Sequence, residues 1–223
     1  MAGNTTPLIG VLALQGDVRE HRQMLEELGC HVREVRQPSH LVGLNGLVLP
    51  GGESSVMDKL LRIFGISASL REAISQGLPV LGTCAGLILL ARELEDGIAG
   101  QETLGGLDVT VRRNAFGSQV DSHETDVTIA GVQGPPVHVA FIRAPLVTRV
   151  GADIEVIATL PGGEVVGVRQ GAVMGVAFHP EIMGDDDRIK QAAEPGLVHL
   201  DFQAFVMGIG HQKDLLWTCL QTP

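Results

Sequence analysis

Tyrosine is absent from this chain and tryptophan occurs once. Aromatics at 3% overall argue against base-stacking surfaces for single-stranded nucleic acid. Basic residues are in deficit as well: 16 Lys and Arg against 26 Asp and Glu leave a formal net charge of −10. An acidic surface repels phosphate backbones, so no nucleic-acid partner is expected, and the charge reads as solubility. Cysteine is sparse, with only Cys30, Cys84 and Cys219. An odd, low count is not a disulfide framework and fits a reducing, cytoplasmic setting. Long apolar runs are missing too. The run Leu8 to Leu14 is broken by Gln15-Gly16-Asp17 and has no basic leader before it. It is too short for a signal core or a span, so neither a targeting segment nor a membrane partner is expected.

What is present is a globular composition, 44% hydrophobic and 19% charged, with 29 glycines for tight turns and close backbone approaches. A length of 223 residues suits one α/β domain over residues 1–223. Leu8 to Leu14 reads as a buried strand. Asp17 then caps a helix whose apolar face is Val18, His21, Met24, Leu25 and Leu28, stopped by Gly29. Strands follow at His31 to Val35, Leu47 to Pro50 and Pro79 to Gly82. Helices follow at Val56 to Phe64, at a segment capped by Ser67 or Ser69 and ended by Gly77, and at Leu87 to Leu94. This alternation predicts a parallel sheet with helices on both faces. After Leu104 the chain turns strand-rich: Leu107 to Val111, Val127 to Ile129, Val137 to Ile142, Ile154 to Leu160, Val165 to Arg169 and Ala172 to Phe178. Pro161-Gly162-Gly163 marks a hairpin, so antiparallel strands should extend the sheet. Leu197 to Leu220 reads as a final helix, weak at Gly208 and Gly210. Asp185-Asp186-Asp187 reads as a solvated loop.

Three segments carry chemistry. Gly82-Thr83-Cys84-Ala85-Gly86 is a small-residue turn that puts a cysteine between a strand and a helix. Free helix-start amides there lower a thiol's pKa and receive an oxyanion, as in nucleophile elbows. The alternative is a small buried core cysteine. Cys30 and Cys219 have no such setting. His179-Pro180-Glu181 closes another strand. Residues two apart point the same way in extended chain, so Glu181 can orient His179 as a base for the thiol. The remaining histidines (21, 31, 40, 123, 138, 199 and 211) lack a comparable setting. Without Cys-x-x-Cys or His-x-x-x-His spacing, no metal is expected. Gly51-Gly52-Glu53-Ser54-Ser55 lies at a strand's carboxyl end, where α/β sheets bind ligands, and reads equally as a plain turn. It lacks the Gly-Lys-Ser/Thr ending of a phosphate loop.

Gly-Thr-Cys-Ala-Gly with the downstream His-Pro-Glu resembles the triad of class I glutamine amidotransferases. Further segments resemble one branch, the glutaminase subunit of pyridoxal 5′-phosphate synthase (the PdxT or Pdx2 family). These are Leu14 to His21, Pro50 to Ser55, Arg113-Asn114-Ala115-Phe116-Gly117-Ser118-Gln119, Asp121-Ser122 and Phe141-Ile142-Arg143-Ala144-Pro145. The match runs from about Ile9 to Glu181, and the Leu-Gln-Gly and Arg-Asn-x-Phe-Gly segments are its most specific parts. The resemblance implies a three-layer α/β fold with a mostly parallel sheet. It implies Cys84 as nucleophile, with His179 and Glu181 completing the triad. Gly52, Glu53, Ser54, Arg113, Ile142 and Arg143 match glutamine-contacting positions, and backbone amides at Gly52 and Ala85 would receive the oxyanion. A guanidinium suits an α-carboxylate, although either arginine is also readable as a surface ion pair. No cofactor is implied. The implied partner is a β/α-barrel synthase subunit, assembled as a dodecamer, that collects the ammonia and switches on a weak glutaminase. The segment Gln15 to His21, with Arg19 and Glu20, is the candidate contact. Departures fall at His123, at Ile182-Met183 and over Arg188 to Pro195. The alternatives are an amidotransferase of purine, histidine or tryptophan synthesis, a non-catalytic binding or regulatory subunit on the same fold, and a thiol redox or chaperone protein of related architecture.

Overall fold

The computed structural model describes residues 6–113, 123–130 and 136–181. The first strand, β1 (Leu8–Leu12), buries Ile9 and Val11 on one face and Leu12 on the other, the alternation of a central strand. Helix α1 (Val18–Glu27) packs Met24 and Leu25 onto the Ile9 face. Strand β2 (His31–Val35) pairs parallel with β1, and a 3₁₀ turn at Pro38–Leu41 leads to β3 (Gly46–Leu49), parallel on the other side of β1. Helices α2 (Ser54–Ile63) and α3 (Ser67–Ser75) lay Met57, Leu61 and Leu70 against the opposite face. Strand β4 (Val80–Thr83) pairs parallel with β3 and turns sharply into α4 (Ala85–Leu90).

The rest is nearly all strand: β5 (Ala91–Glu95), β6 (Leu107–Arg112), β7 (His123–Val127), β8 (Val137–Phe141), β9 (Leu146–Val150), β10 (Glu155–Thr159), β11 (Val165–Gln170) and β12 (Val173–Val176). Strands β7 and β8 form a separate antiparallel ribbon. The others join one ten-stranded sheet of order β2-β1-β3-β4-β12-β11-β9-β6-β5, with β10 on β11. Strand β12 returns antiparallel from β11 yet parallel to β4. Consequently β1, β3, β4 and β12 all end at the same rim. The architecture is the expected α/β sheet with helices on both faces and added antiparallel strands.

Several local expectations are corrected. The apolar stretch Leu87 to Leu94 is not one helix. It stops at Leu90, and Ala91 turns extended (φ −61°, ψ 147°) to start β5. Strand β9, after Pro145, has no counterpart among the expected strands. Neither Ser67 nor Ser69 caps α3, whose N-cap is Ile66 without a side-chain bond. Asp17 stands at the N-cap of α1 but makes no capping bond. The expected helix Leu197 to Leu220 and Asp185 to Asp187 lie outside the described residues. So do Ile182-Met183, Arg188 to Pro195, Cys219, His199, His211 and motif positions 114–122. Among the described residues, no helix is long and apolar enough to cross a membrane.

Candidate active site

Cys84 occupies the turn between β4 and α4 with φ +46° and ψ −100°, a region that ordinary side chains avoid. The strain is held in place by packing. The Cys84 amide donates to Val176 O at 2.9 Å, tying the turn to β12. Gly82 and Gly86 face each other inside it, and a Cβ on Gly82 would lie 2.5 Å from the Gly86 carbonyl carbon. The thiol is 6% exposed and lies 3.9 Å from the Ile142 carbonyl oxygen. Helix α4 spans only six residues, so its dipole is a minor aid. Ala85 is its first residue, so the Ala85 N–H has no acceptor within the helix.

His179 follows β12. Its amide donates to Ala140 O at 3.1 Å, which fastens it to β8. The neighbouring Phe178 meets Phe141 edge-on, with centroids 5.8 Å apart. The imidazole Nδ1 lies 2.8 Å from Glu181 Oε1, and both side chains are buried. Asp17 Oδ2 lies 3.5 Å from the same nitrogen. Burial disfavours charge on His179, but the contacts with Asp17, Cys84 and Glu181 outweigh it and push its pKa well above the ordinary value. The pull is mutual: His179 holds the Asp17 carboxyl below its usual range against the opposing effect of burial.

The rim encloses a cavity of about 210 Å³, large enough for a free amino acid. Cys84 and His179 lie at its base, with Gly52, Glu53, Ser54, Arg113, Ile142 and Arg143 around it. Glu181 sits behind the histidine, and Ala85 behind the elbow. Glu53 accepts from Arg113 Nη2 at 2.6 Å and from Ser55 Oγ at 3.0 Å. Gln101 links Arg113 Nη1 (3.2 Å) to Ser54 Oγ (3.1 Å). One wall thus offers a carboxylate beside a guanidinium, which matches the ammonium and carboxylate of an amino acid. Arg143 has a positive φ of 47°, is exposed, and also lines the cavity. A larger hollow of about 360 Å³ opens at the other end of β4 and β12, beside Gly77 and Ala172, and is lined by no thiol or histidine.

Residues 11–193 match the profile of a family described as the SNO glutamine amidotransferase family. The chain belongs to that family. Among its relatives, "Pyridoxal 5′-phosphate synthase subunit PdxT" of Clavibacter michiganensis subsp. michiganensis is 58% identical over 191 residues, covering 83% of this chain and 91% of that one. The PdxT subunit of Cutibacterium acnes is 56% identical over 189 residues, covering 82% and 93%. A solved glutamine amidotransferase superposes with a TM-score of 0.73 at 46% identity, over 82% of this chain and 95% of its own. A putative GMP synthase component from Thermoplasma acidophilum has a TM-score of 0.66 at 20% identity, over 95% and 98% of the two chains, and shares the fold.

Within this amidotransferase site, three side chains escaped sequence reasoning. Gln15 Oε1 accepts from the Glu53 amide at 2.8 Å, so it pins the glycine loop rather than facing outward. His21, read as an ordinary core residue, is fully buried with Nε2 3.1 Å from Thr83 Oγ1 and 3.5 Å from Glu181 Oε1. Burial pushes the His21 pKa down, and the nearby Glu181 and Asp17 carboxylates oppose that shift. Asp17 turns toward His179 instead of capping α1. A helical period placed His21 inward, but only the pairing of β1, β3, β4 and β12 brings it beneath Glu181. By contrast, the Arg19 side chain is 88% exposed and pairs with Glu20 at 2.9 Å, so the segment Gln15 to His21 is divided between site and surface. Asp17, His179 and Glu181 bring possible ligand atoms within 4.8 Å of one another, yet the 2.8 Å Nδ1–Oε1 separation is that of a direct hydrogen bond.

Proposed function

We propose that this chain is the glutaminase subunit of a pyridoxal 5′-phosphate synthase. It hydrolyses L-glutamine to L-glutamate and passes the ammonia to a synthase partner. The observation that carries the reading is a histidine bonded to a buried glutamate at 2.8 Å, sharing one amino-acid-sized cavity with a strained, elbow-borne cysteine. Membership of the SNO glutamine amidotransferase family and the high identity to PdxT subunits support it.

In the proposed reaction, Arg113 and Arg143 hold the α-carboxylate of glutamine, and Glu53 holds its ammonium group. Gly52, Ser54 and Ile142 shape the rest of the pocket. Cys84 gives its proton to His179, and the thiolate attacks the side-chain amide carbon. The oxyanion forms beside the Gly52 and Ala85 amides, where one well-aimed donor is worth roughly 3 kcal/mol. His179, held by Glu181, returns the proton to the amide nitrogen as the C–N bond breaks, and ammonia leaves. The γ-glutamyl thioester remains on Cys84. A water deprotonated by His179 then attacks it. The C–S bond breaks, glutamate departs, and the proton returns to the thiol.

Ammonia released into water would be protonated and lose its nucleophilicity, so a partner must take it up directly. A β/α-barrel synthase subunit in a dodecameric core is the proposed acceptor, with Arg19 and Glu20 in the contact and the cytoplasm as the setting. The test is glutamate production from glutamine, with and without the synthase subunit. Glutamate release that rises on adding the partner, together with pyridoxal 5′-phosphate formation from glutamine, is expected. No release under either condition would overturn the reading.

A further inference from the structure

The imidazole of His179 faces more than one acid. We infer that Asp17 is a second positioning carboxylate for His179, holding the imidazolium from the cavity side of the ring while Glu181 holds it from the buried side. The inference deepens the glutaminase reading, on which its functional meaning rests.

Three observations meet at this point. Asp17 Oδ2 is 3.5 Å from the same Nδ1 that bonds Glu181, close enough for strong charge coupling and long for a full hydrogen bond. The residue is also fixed. Its amide donates to Gly51 O at 3.1 Å, while its side chain gives up the capping bond that its position at the start of α1 would allow. Finally, the loop is bare where the two groups meet. A Cβ on Gly51 would fall 2.7 Å from Asp17 Oδ2 and 2.8 Å from His179 Nδ1, so any larger residue there would part the pair.

The two carboxylates differ in a way that separates their work. The Glu181 side chain has no exposure, whereas that of Asp17 is 34% exposed. Glu181 fixes the ring's orientation through a short bond. Asp17 keeps part of its hydration, so it adds negative charge beside the ring without the full cost of burying a second carboxylate. The other ionisable groups near the ring are Cys84 at the elbow and His21 from α1, with Glu53, Arg113 and Arg143 lining the same cavity. Asp17 and Glu181 are the acids placed at Nδ1 among the described residues. Removing the Asp17 charge therefore lowers the affinity of His179 for its proton without turning the ring.

The decisive experiment is an NMR titration of His179 in the isolated full chain with isotope-labelled histidine, the signal being assigned by its loss in His179→Gln. Asp17→Asn is expected to lower the His179 midpoint by about one pH unit, the lower end of the range for a close opposite charge. Asp17→Glu, which keeps the charge, should stay near the unaltered protein, and Asp17→Ser serves as a second neutral variant should Asp17→Asn fold poorly. With the synthase subunit present, the alkaline limb of kcat/KM should fall with the midpoint. A midpoint unmoved in the neutral variants, or moved equally by Asp17→Glu, would overturn the assignment. The titration needs no turnover, so an inactive unaltered protein would count against the glutaminase reading and leave the role of Asp17 to be decided by the midpoint.

Discussion

In the parallel half of the sheet, β1, β3, β4 and β12 finish side by side, and each hands the chain directly to a group at the rim. In order, these are Gln15 and Asp17, the Gly51-Gly52 loop, Cys84, and His179 with Glu181. From the strand-rich second half of the chain, β6 of the main sheet and β8 of the separate ribbon reach the same cavity but deliver different parts. Arg113 follows β6, and the Ile142 carbonyl and Arg143 follow β8. The difference separates two kinds of group. Groups that exchange protons and bonds sit on buried strand ends, with Cys84, His179 and Glu181 all buried. Groups that grip a charged ligand come from both regions: Glu53 after β3 pairs with Arg113 after β6 at 2.6 Å, and the exposed Arg143 follows β8.

The comparison can be broken most severely at the elbow. Cys84→Ala is expected to reduce glutamine hydrolysis by more than about a thousandfold while leaving the melting temperature near that of the unaltered chain, because one small buried atom is lost. Steady-state glutamate release and a thermal melt check both parts. Next comes the loop. Gly51→Ala forces a methyl group against the His179 ring and Asp17, and a displacement of about 1 Å at the base should cost roughly a hundredfold in kcat. A normal kcat in that variant would mean that the ring is not confined by the loop.

At the ends of β6 and β8 the effect should change character. Arg113→Ala is expected to raise KM for glutamine by roughly tenfold to a hundredfold, with a smaller change in kcat, as fits the loss of a charged hydrogen bond to ligand. If kcat fell and KM stayed fixed, the division between reacting and gripping groups would be wrong.

The smallest effect is on stability and involves the two buried histidines of the parallel half, which act in opposite pH windows. Burial depresses the pKa of His21, so below 6.5 the unfolded chain binds more protons than the folded one. Its contribution is complete above 6.5 and is lost as the pH falls through the folded value. His179 is raised, so its contribution is complete below 6.5 and is lost as the pH rises through its folded value. Urea denaturation at pH 7 and pH 5 should show His21→Gln losing less stability toward acid than the unaltered chain, while costing about 1 to 2 kcal/mol at pH 7. An equal loss in His21→Gln would exclude His21 as its source.

Much of this was legible in the sequence because it is local. Strand, turn and helix around Cys84 announce themselves through Pro79 to Gly86, and the His-Pro-Glu spacing orients its own carboxylate. The run after Gly86 misleads because a continuous apolar stretch has no period to distinguish helix from strand. Its switch at Ala91 depends on pairing with β6. Asp17 satisfies a helix-capping rule perfectly well by composition. It does otherwise because β1 and β12 bring a histidine within reach from 162 positions away in the chain. The roles of Gln15 and His21 were hidden for the same reason: their partners, Glu53 on one side and Thr83 and Glu181 on the other, are neighbours only through the sheet order.

The central claim is that the thiol of Cys84 meets the side-chain amide of glutamine in this cavity. Peptide mapping after exposure to a glutamine-like diazoketone, in the presence of the synthase subunit, tests it most directly. The account predicts a covalent label on Cys84, absent from Cys30 and Cys219 and suppressed by excess glutamine. A label on either of the other cysteines, or labelling of Cys84 that glutamine fails to suppress, would contradict it.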